Sequence, residues 1–149
     1  MFAAITILNI ALMLVMRIHV DYTNLVNAEV KKAFRFAFSL ITIETLFDFM
    51  AVTAERIDYL PISLHIAIVF FELLLAPALI SMWLFLSPSK KLKRLIWCVL
   101  IANALLQLYN LFSGCVFYVD AQNQYFRGEY YCLYVLLYSI GAILMLLEA

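Results

Sequence analysis

Residues 62–86 read ISLHIAIVFFELLLAPALISMWLFL, an apolar run interrupted only by Ser63, His65, Glu72 and Ser81. A helix gains about 1.5 Å per residue, so crossing roughly 30 Å of hydrocarbon takes about 20 predominantly apolar residues. This run meets that length, and it has companions: residues 1–18, 33–56, 92–118 and 129–147 are also strongly apolar. Composition agrees, because 67% of the 149 residues are hydrophobic and 13% are charged, where soluble domains carry about 25% charged residues. The expectation is one all-α domain over residues 1–149, a multi-pass transmembrane bundle of about five helices in contact with the lipid bilayer. A β-barrel would instead show segments of about ten residues with alternating polarity. The first window lacks a positive leading region and a small-residue cleavage signal, so it reads as a retained helix whose Arg17 stem reaches the interface. Pro61 suits a helix start. Pro77 falls inside the third window, where it breaks the hydrogen-bond ladder and frees a carbonyl for a neighbour or a water.

The polar connections orient the bundle. Arg17, Lys31, Lys32 and Arg35 flank the first, Lys90, Lys91, Lys93 and Arg94 sit in the third, and only Arg56 and Arg127 belong to the second and fourth. The positive-inside rule then puts the N-terminus outside and the C-terminus in the cytoplasm. Formal net charge is zero and the basic residues are scattered, which excludes a nucleic-acid partner of the usual basic-face kind. Cys98, Cys115 and Cys132 have neither metal spacing nor the even count of a disulfide framework, although Cys115 and Cys132 both flank the fourth connection, where a disulfide is sterically conceivable. No cofactor, no metal and no catalytic residue is expected.

Ionisable residues at membrane depth cost at least about 2.5–3.5 kcal/mol to insert, which marks them as functional candidates. Glu44, Asp48, Ala51 and Glu55 share one face of the second helix; His65 and Glu72 share one face of the third. Asn103, Gln107 and Asn110 repeat the i, i+4, i+7 pattern on the fourth. If these stripes converge, they line a polar cavity open to the exterior, with Glu44, Asp48, Glu72, Asn103, Gln107 and Asn110 as ligand contacts. The alternative for the amides is structural: polar residues in membrane helices often tie helices together at about 0.6 kcal/mol per hydrogen bond. Two carboxylates one turn apart in a low dielectric do not both ionise cheaply, so at least one of Glu44 and Asp48 is expected to be protonated at neutral pH. His65, two turns beyond Glu72, reads as a wet interfacial residue. Tyr130, Tyr134 and Tyr138 form a stripe on the fifth helix. Tyr134 and Tyr138 serve either as packing against the third helix or as an aromatic wall for a small ligand.

Between the last two windows stands VFYVDAQNQYFRGEYY, residues 116–131. Aromatic and β-branched arms around a polar turn at Gln122 and Asn123 predict a short external β-hairpin ending at Gly128. Asp120 and Arg127 are placed to face each other across the arms. The aromatics Phe117, Tyr118, Tyr125 and Phe126 would then cover the mouth of the bundle as a lid.

The run N-x3-L-x5-F-S-G-x-x-F-Y-V-D-x-x-N-x-Y-x-R-G, residues 103–128, resembles the membrane-embedded N-terminal sensory region that precedes GGDEF (diguanylate cyclase) domains, and some histidine kinase domains, in clostridia-like Firmicutes. Asp48, Pro77 and Trp83 match that family's acid, proline and tryptophan, and its most specific positions fall on Asp120, Asn123, Tyr125, Arg127 and Gly128. Glu129 stands where the family more often has proline. The resemblance implies a bacterial cell-membrane signal-input module, sensing a small ligand or protonation, acting as a homodimer and passing a shift to a cytoplasmic enzyme. It also implies further helices before that enzyme domain. No GGDEF string, kinase ATP-binding pattern or P-loop occurs in these residues. The rival readings are a proton- or cation-coupled transporter or channel fragment using the same acids, and an intramembrane enzyme, which the absence of a metal set or a nucleophile–base pair at helical spacing disfavours.

Overall fold

The structure, a computed structural model, describes residues 2–23, 27–57 and 59–148; Met1, where the first expected helix begins, lies outside the described residues. The chain is 79% helical. In order it forms α1 (Phe2–Tyr22), α2 (Ala28–Ala54), α3 (Ile62–Leu75), a 3₁₀ segment (Ala76–Met82), α4 (Trp83–Leu86), α5 (Lys90–Ser113), the strands β1 (Phe117–Val119) and β2 (Tyr125–Arg127), and α6 (Tyr131–Glu148). Four stretches are long and apolar enough to cross a membrane: Ala3–Tyr22, Ala28–Ala54, Ile62–Met82 and Lys90–Ser113; Tyr131–Leu144 is apolar but shorter. The protein is a multi-pass, membrane-embedded helical bundle with a small hairpin before its last helix.

Each boundary has a local cause. Asn27 caps α2 by accepting from the Val30 amide at 2.9 Å, and Ser89 caps α5 by accepting from the Leu92 amide at 3.3 Å, in each case satisfying one of the four amides a helix start leaves free. Pro61 immediately precedes α3, and its carbonyl accepts from the amides of Leu64 and His65. The fourth helix stops at Ser113, short of the expected residue 118. Gly114 takes the left-handed conformation there, with φ 62°, and its amide returns to the Asn110 carbonyl, an ending that suits a residue without a Cβ. The third span is not one α-helix but three pieces. Pro77 has no amide to give to the Leu73 carbonyl, and the chain tightens into the 3₁₀ turn around it.

The third span lies in the middle. α2 packs on it from one side, α5 and α6 from the other, and α1 packs on α2. Two apolar cores result. At the hairpin end Ala51, Ala54, Val69, Leu73, Phe117 and Tyr134 pack together; at the opposite end Ile80, Ile96 and Val99 do so, with Leu92, Leu100 and Ile140 against them. Gly141 of α6 makes the second core possible, since a Cβ there would come within 2.9 Å of Ile80 Cγ2. The first connection is pinned by Asp21, whose carboxylate accepts from Arg35 Nε and whose carbonyl accepts from Lys31 Nζ at 3.3 Å. Both ionic side chains are half exposed, so the pair adds a few tenths of a kcal/mol at most.

The hairpin pairs Phe117 with Arg127, Tyr118 with Phe126 and Val119 with Tyr125. Its turn is built on Asp120, whose Oδ1 accepts from the amides of Gln122 and Gln124, both at 2.9 Å. Asn123 closes it with φ 62°, the left-handed position of a three-residue hairpin loop. This register corrects the expected Asp120–Arg127 pairing: Asp120 lies at the turn, opposite Gln124, while Arg127 lies at the far end, opposite Phe117. The two arms rejoin the bundle at Gly128. A Cβ on that residue would sit 2.2 Å from the Cys115 carbonyl oxygen, so the close approach of the two chain segments requires glycine.

Candidate functional site

The turn of the hairpin is fastened to the helices chiefly by one buried side chain, with Gln124 Nε2 adding a long contact of 3.5 Å to the Glu55 carbonyl. Asn123, almost fully buried, donates from Nδ2 to the carbonyls of Ala54 at 3.1 Å and Ile57 at 3.2 Å, at the end of α2. Carbonyls only accept, so the amide nitrogen faces them and Oδ1 faces the other way. There it meets His65 Nδ1 at 3.0 Å. An amide oxygen also only accepts, so the hydrogen in that bond belongs to Nδ1. Neutral His65 therefore carries its proton on Nδ1 and presents Nε2 as a bare acceptor. His65 has no exposed surface, and Nε2 is buried with no hydrogen-bond partner. The expected wet interfacial histidine is in fact sealed in, because the hairpin turn folds down over the start of α3.

Beneath the hairpin lies a cleft of about 160 Å³ bounded by α2, α3, β2 and the start of α6. Asp48, Ala51, Val52 and Glu55 line it from α2, at the one-face spacing read in the sequence. His65, Val69, Glu72 and Leu73 line it from α3, and Tyr125, Arg127 and Tyr131 complete the wall. Glu72 lies within electrostatic reach of Asp48, Glu44 and Glu55, so the acids of two helices do converge. Glu44, one turn deeper than Asp48, is half-buried but does not line the cleft.

The amide stripe of α5 goes elsewhere. Asn103 donates to the carbonyls of Leu73 at 3.2 Å and Leu74 at 3.4 Å. The Leu73 carbonyl is the one Pro77 leaves without an amide, so Asn103 is the neighbour that satisfies the break. Gln107 donates to Asn103 Oδ1 at 3.4 Å, and its Oε1 is buried without a partner. Asn110 accepts from the Val116 and Phe117 amides and donates to the Phe117 carbonyl at 3.1 Å, holding the turn from α5 into β1. None of the three lines the cleft. The expectation that these amides share one hollow with the acids is not met, because Asn103 and Asn110 are turned toward backbone and Gln107 toward the Asn103 side chain.

Arg127 lies over the Tyr131 ring, 4.7 Å from its centroid, a cation–π contact of about 0.5–1 kcal/mol at a half-exposed site. Burial, reinforced by the nearby Tyr131 and Glu72, pushes the Tyr125 phenol far above its ordinary range, while Arg127 pulls the other way. The Tyr125 hydroxyl thus remains a hydrogen-bond donor at the cleft. Tyr134 is buried in the core beneath, whereas Tyr138 is about half exposed; the rings of Tyr131, Tyr134 and Tyr138 follow one another along α6. All three cysteines are free thiols, including the Cys115 and Cys132 pair considered for a disulfide. Among the described residues no group of three or more His, Cys, Asp or Glu is placed to hold a metal ion.

Glu55 and Tyr131 belong to the cleft without having been singled out as ligand contacts. Glu55 was legible as the last member of the Asp48 face; nothing in the local sequence marks Tyr131 apart from Tyr130. No protein-family model, curated protein or solved structure matches this chain.

Proposed function

We propose that this chain is the signal-input module of a bacterial membrane signalling protein, receiving a small ligand or a proton in the cleft under the hairpin. The observation that carries the reading is the meeting of Asp48 and Glu72 with His65 beneath a cover held by Asn123. Eight of the ten basic side chains flank the first and third connections, so the positive-inside rule turns the hairpin and cleft outward. The core of Ile80, Ile96 and Val99 at the opposite end is apolar, which favours a blind pocket over a conducting path. The resemblance of residues 103–128 to sensory regions ahead of GGDEF and histidine kinase domains assigns the output to a cytoplasmic cyclase or kinase domain outside these 149 residues, working as a homodimer.

In this reading the cue biases two packings of the third span against its neighbours, with the 3₁₀ turn at Pro77 as the flexing point. A ligand moves such an equilibrium only by its difference in affinity for the two packings. The transporter alternative predicts flux. In proteoliposomes, the sensor reading expects no proton or cation uptake above protein-free vesicles; uptake abolished by Asp48→Asn would overturn it.

A further inference from the structure

We infer that the guest of this cleft is a small organic ammonium compound, whose charge is met by the Asp48, Glu55 and Glu72 carboxylates and one of whose N–H groups is accepted by His65 Nε2. The inference rests on the reading of the cleft as a ligand pocket and names the chemistry of that ligand.

Three observations bear on it independently. First, the lining is rich in acceptors: three carboxylates against one cationic side chain, Arg127, whose guanidinium is held over Tyr131. None of the three acids has an ion-pair partner among the described residues. Second, the hydrogen-bond chain from the Ala54 and Ile57 carbonyls through Asn123 fixes the protonated nitrogen of His65 as Nδ1. The buried nitrogen left over, Nε2, has no hydrogen-bond partner; in the neutral imidazole it is an acceptor, and an unmet buried acceptor costs about 1–3 kcal/mol. A neutral or anionic guest with no hydrogen to give leaves that cost in place, whereas an ammonium group removes it. Third, the acids and His65 are too dispersed to ligate one metal ion, but they surround a volume of about 160 Å³. That space suits a guest of a few heavy atoms with its charge at one end, its apolar remainder resting on Ala51, Val52 and Val69. A blind, partly desolvated site is where a cation–carboxylate contact is strongest, because screening by water is weakest there.

The test uses the full chain in lipid nanodiscs and three probes of matched size: n-butylammonium, n-butanol and butyrate. Binding is read by thermal unfolding and by the ¹⁵N resonance of His65 Nε2, with His19 as the internal control. Butylammonium should raise the unfolding midpoint and shift the His65 Nε2 signal, with at least about tenfold tighter binding than either analogue. Glu72→Gln, which keeps the shape of the side chain and removes its charge, should erase most of that preference; Asp48→Asn replaces it if Glu72→Gln does not fold. Equal or tighter binding of butanol or butyrate overturns the ammonium assignment while leaving a ligand pocket in place. No response to any probe, or full amine affinity in the charge-neutral variants, also overturns it. Flux through the bundle instead sinks the sensor reading and leaves the amine site standing, so the two failures are told apart.

Discussion

The two ends of this bundle are made from the same helices and held in different ways. At the hairpin end the buried side chains include His65, Asn103, Gln107, Asn110 and Asn123, and their hydrogen bonds join residues as far as 69 positions apart. At the opposite end Ile80, Ile96 and Val99 form an apolar core, and the Ser81 hydroxyl bonds within its own turn, to the Ala78 carbonyl, while the Ser87 hydroxyl accepts from the nearby Ser89 amide. In lipid, apolar packing has little hydrophobic drive and constrains direction weakly, whereas a hydrogen bond fixes two groups in register. One end is therefore positioned and the other merely filled, and the acids are found where positions are fixed.

The sharpest way to break this contrast is chemical labelling. In a background with Cys98, Cys115 and Cys132 replaced by Ser, Val52→Cys in the cleft should react with a water-soluble maleimide, and Ile96→Cys in the apolar core should not react at all. Thiols react as thiolates, which form only where water reaches them; equal labelling at both positions would erase the distinction between the ends. Next in size is Gly128→Ala. Its Cβ would collide with the Cys115 carbonyl at 2.2 Å, and relieving that clash should cost roughly 3 kcal/mol or more, seen as a lowered unfolding midpoint and early exchange of the Phe126 and Arg127 amides. The smallest effect sharpens the account of the polar end. Asn103→Ala should cost about 1 kcal/mol, and the cost should shrink when Pro77→Ala is added, because an amide at position 77 can serve the Leu73 carbonyl itself. An undiminished cost in that double variant would show that Asn103 does something other than mend the proline break.

Much of this was written in the sequence, for identifiable reasons. The long apolar runs gave the spans because hydrocarbon thickness sets a length that composition can report. Pro77 announced its break because an absent amide has the same consequence in any context, and the hairpin announced itself by aromatic arms around a polar turn. The Asp48 face was legible because helical spacing fixes which residues of one helix share a side. The rotation of one helix against another is not encoded locally, and that is where the reading failed. Asn103, Gln107 and Asn110 do form a stripe, but whether it looks into a cleft or onto a neighbour's backbone depends on carbonyls 30 residues away in α3 and on the turn after Gly114. His65 was misplaced for the same reason, since its burial comes from Asn123, 58 positions later.

Asn123 ties the hairpin turn, the last turn of α2 and the first turn of α3 with a single carboxamide. Lifting the cover thus cannot be a private event of the loop: it removes the side-chain donor shared by the Ala54 and Ile57 carbonyls, leaving each with its backbone donor alone, and frees His65 to exchange tautomers, in one stroke. A latch wired in this way reports its own position to both helices beneath it.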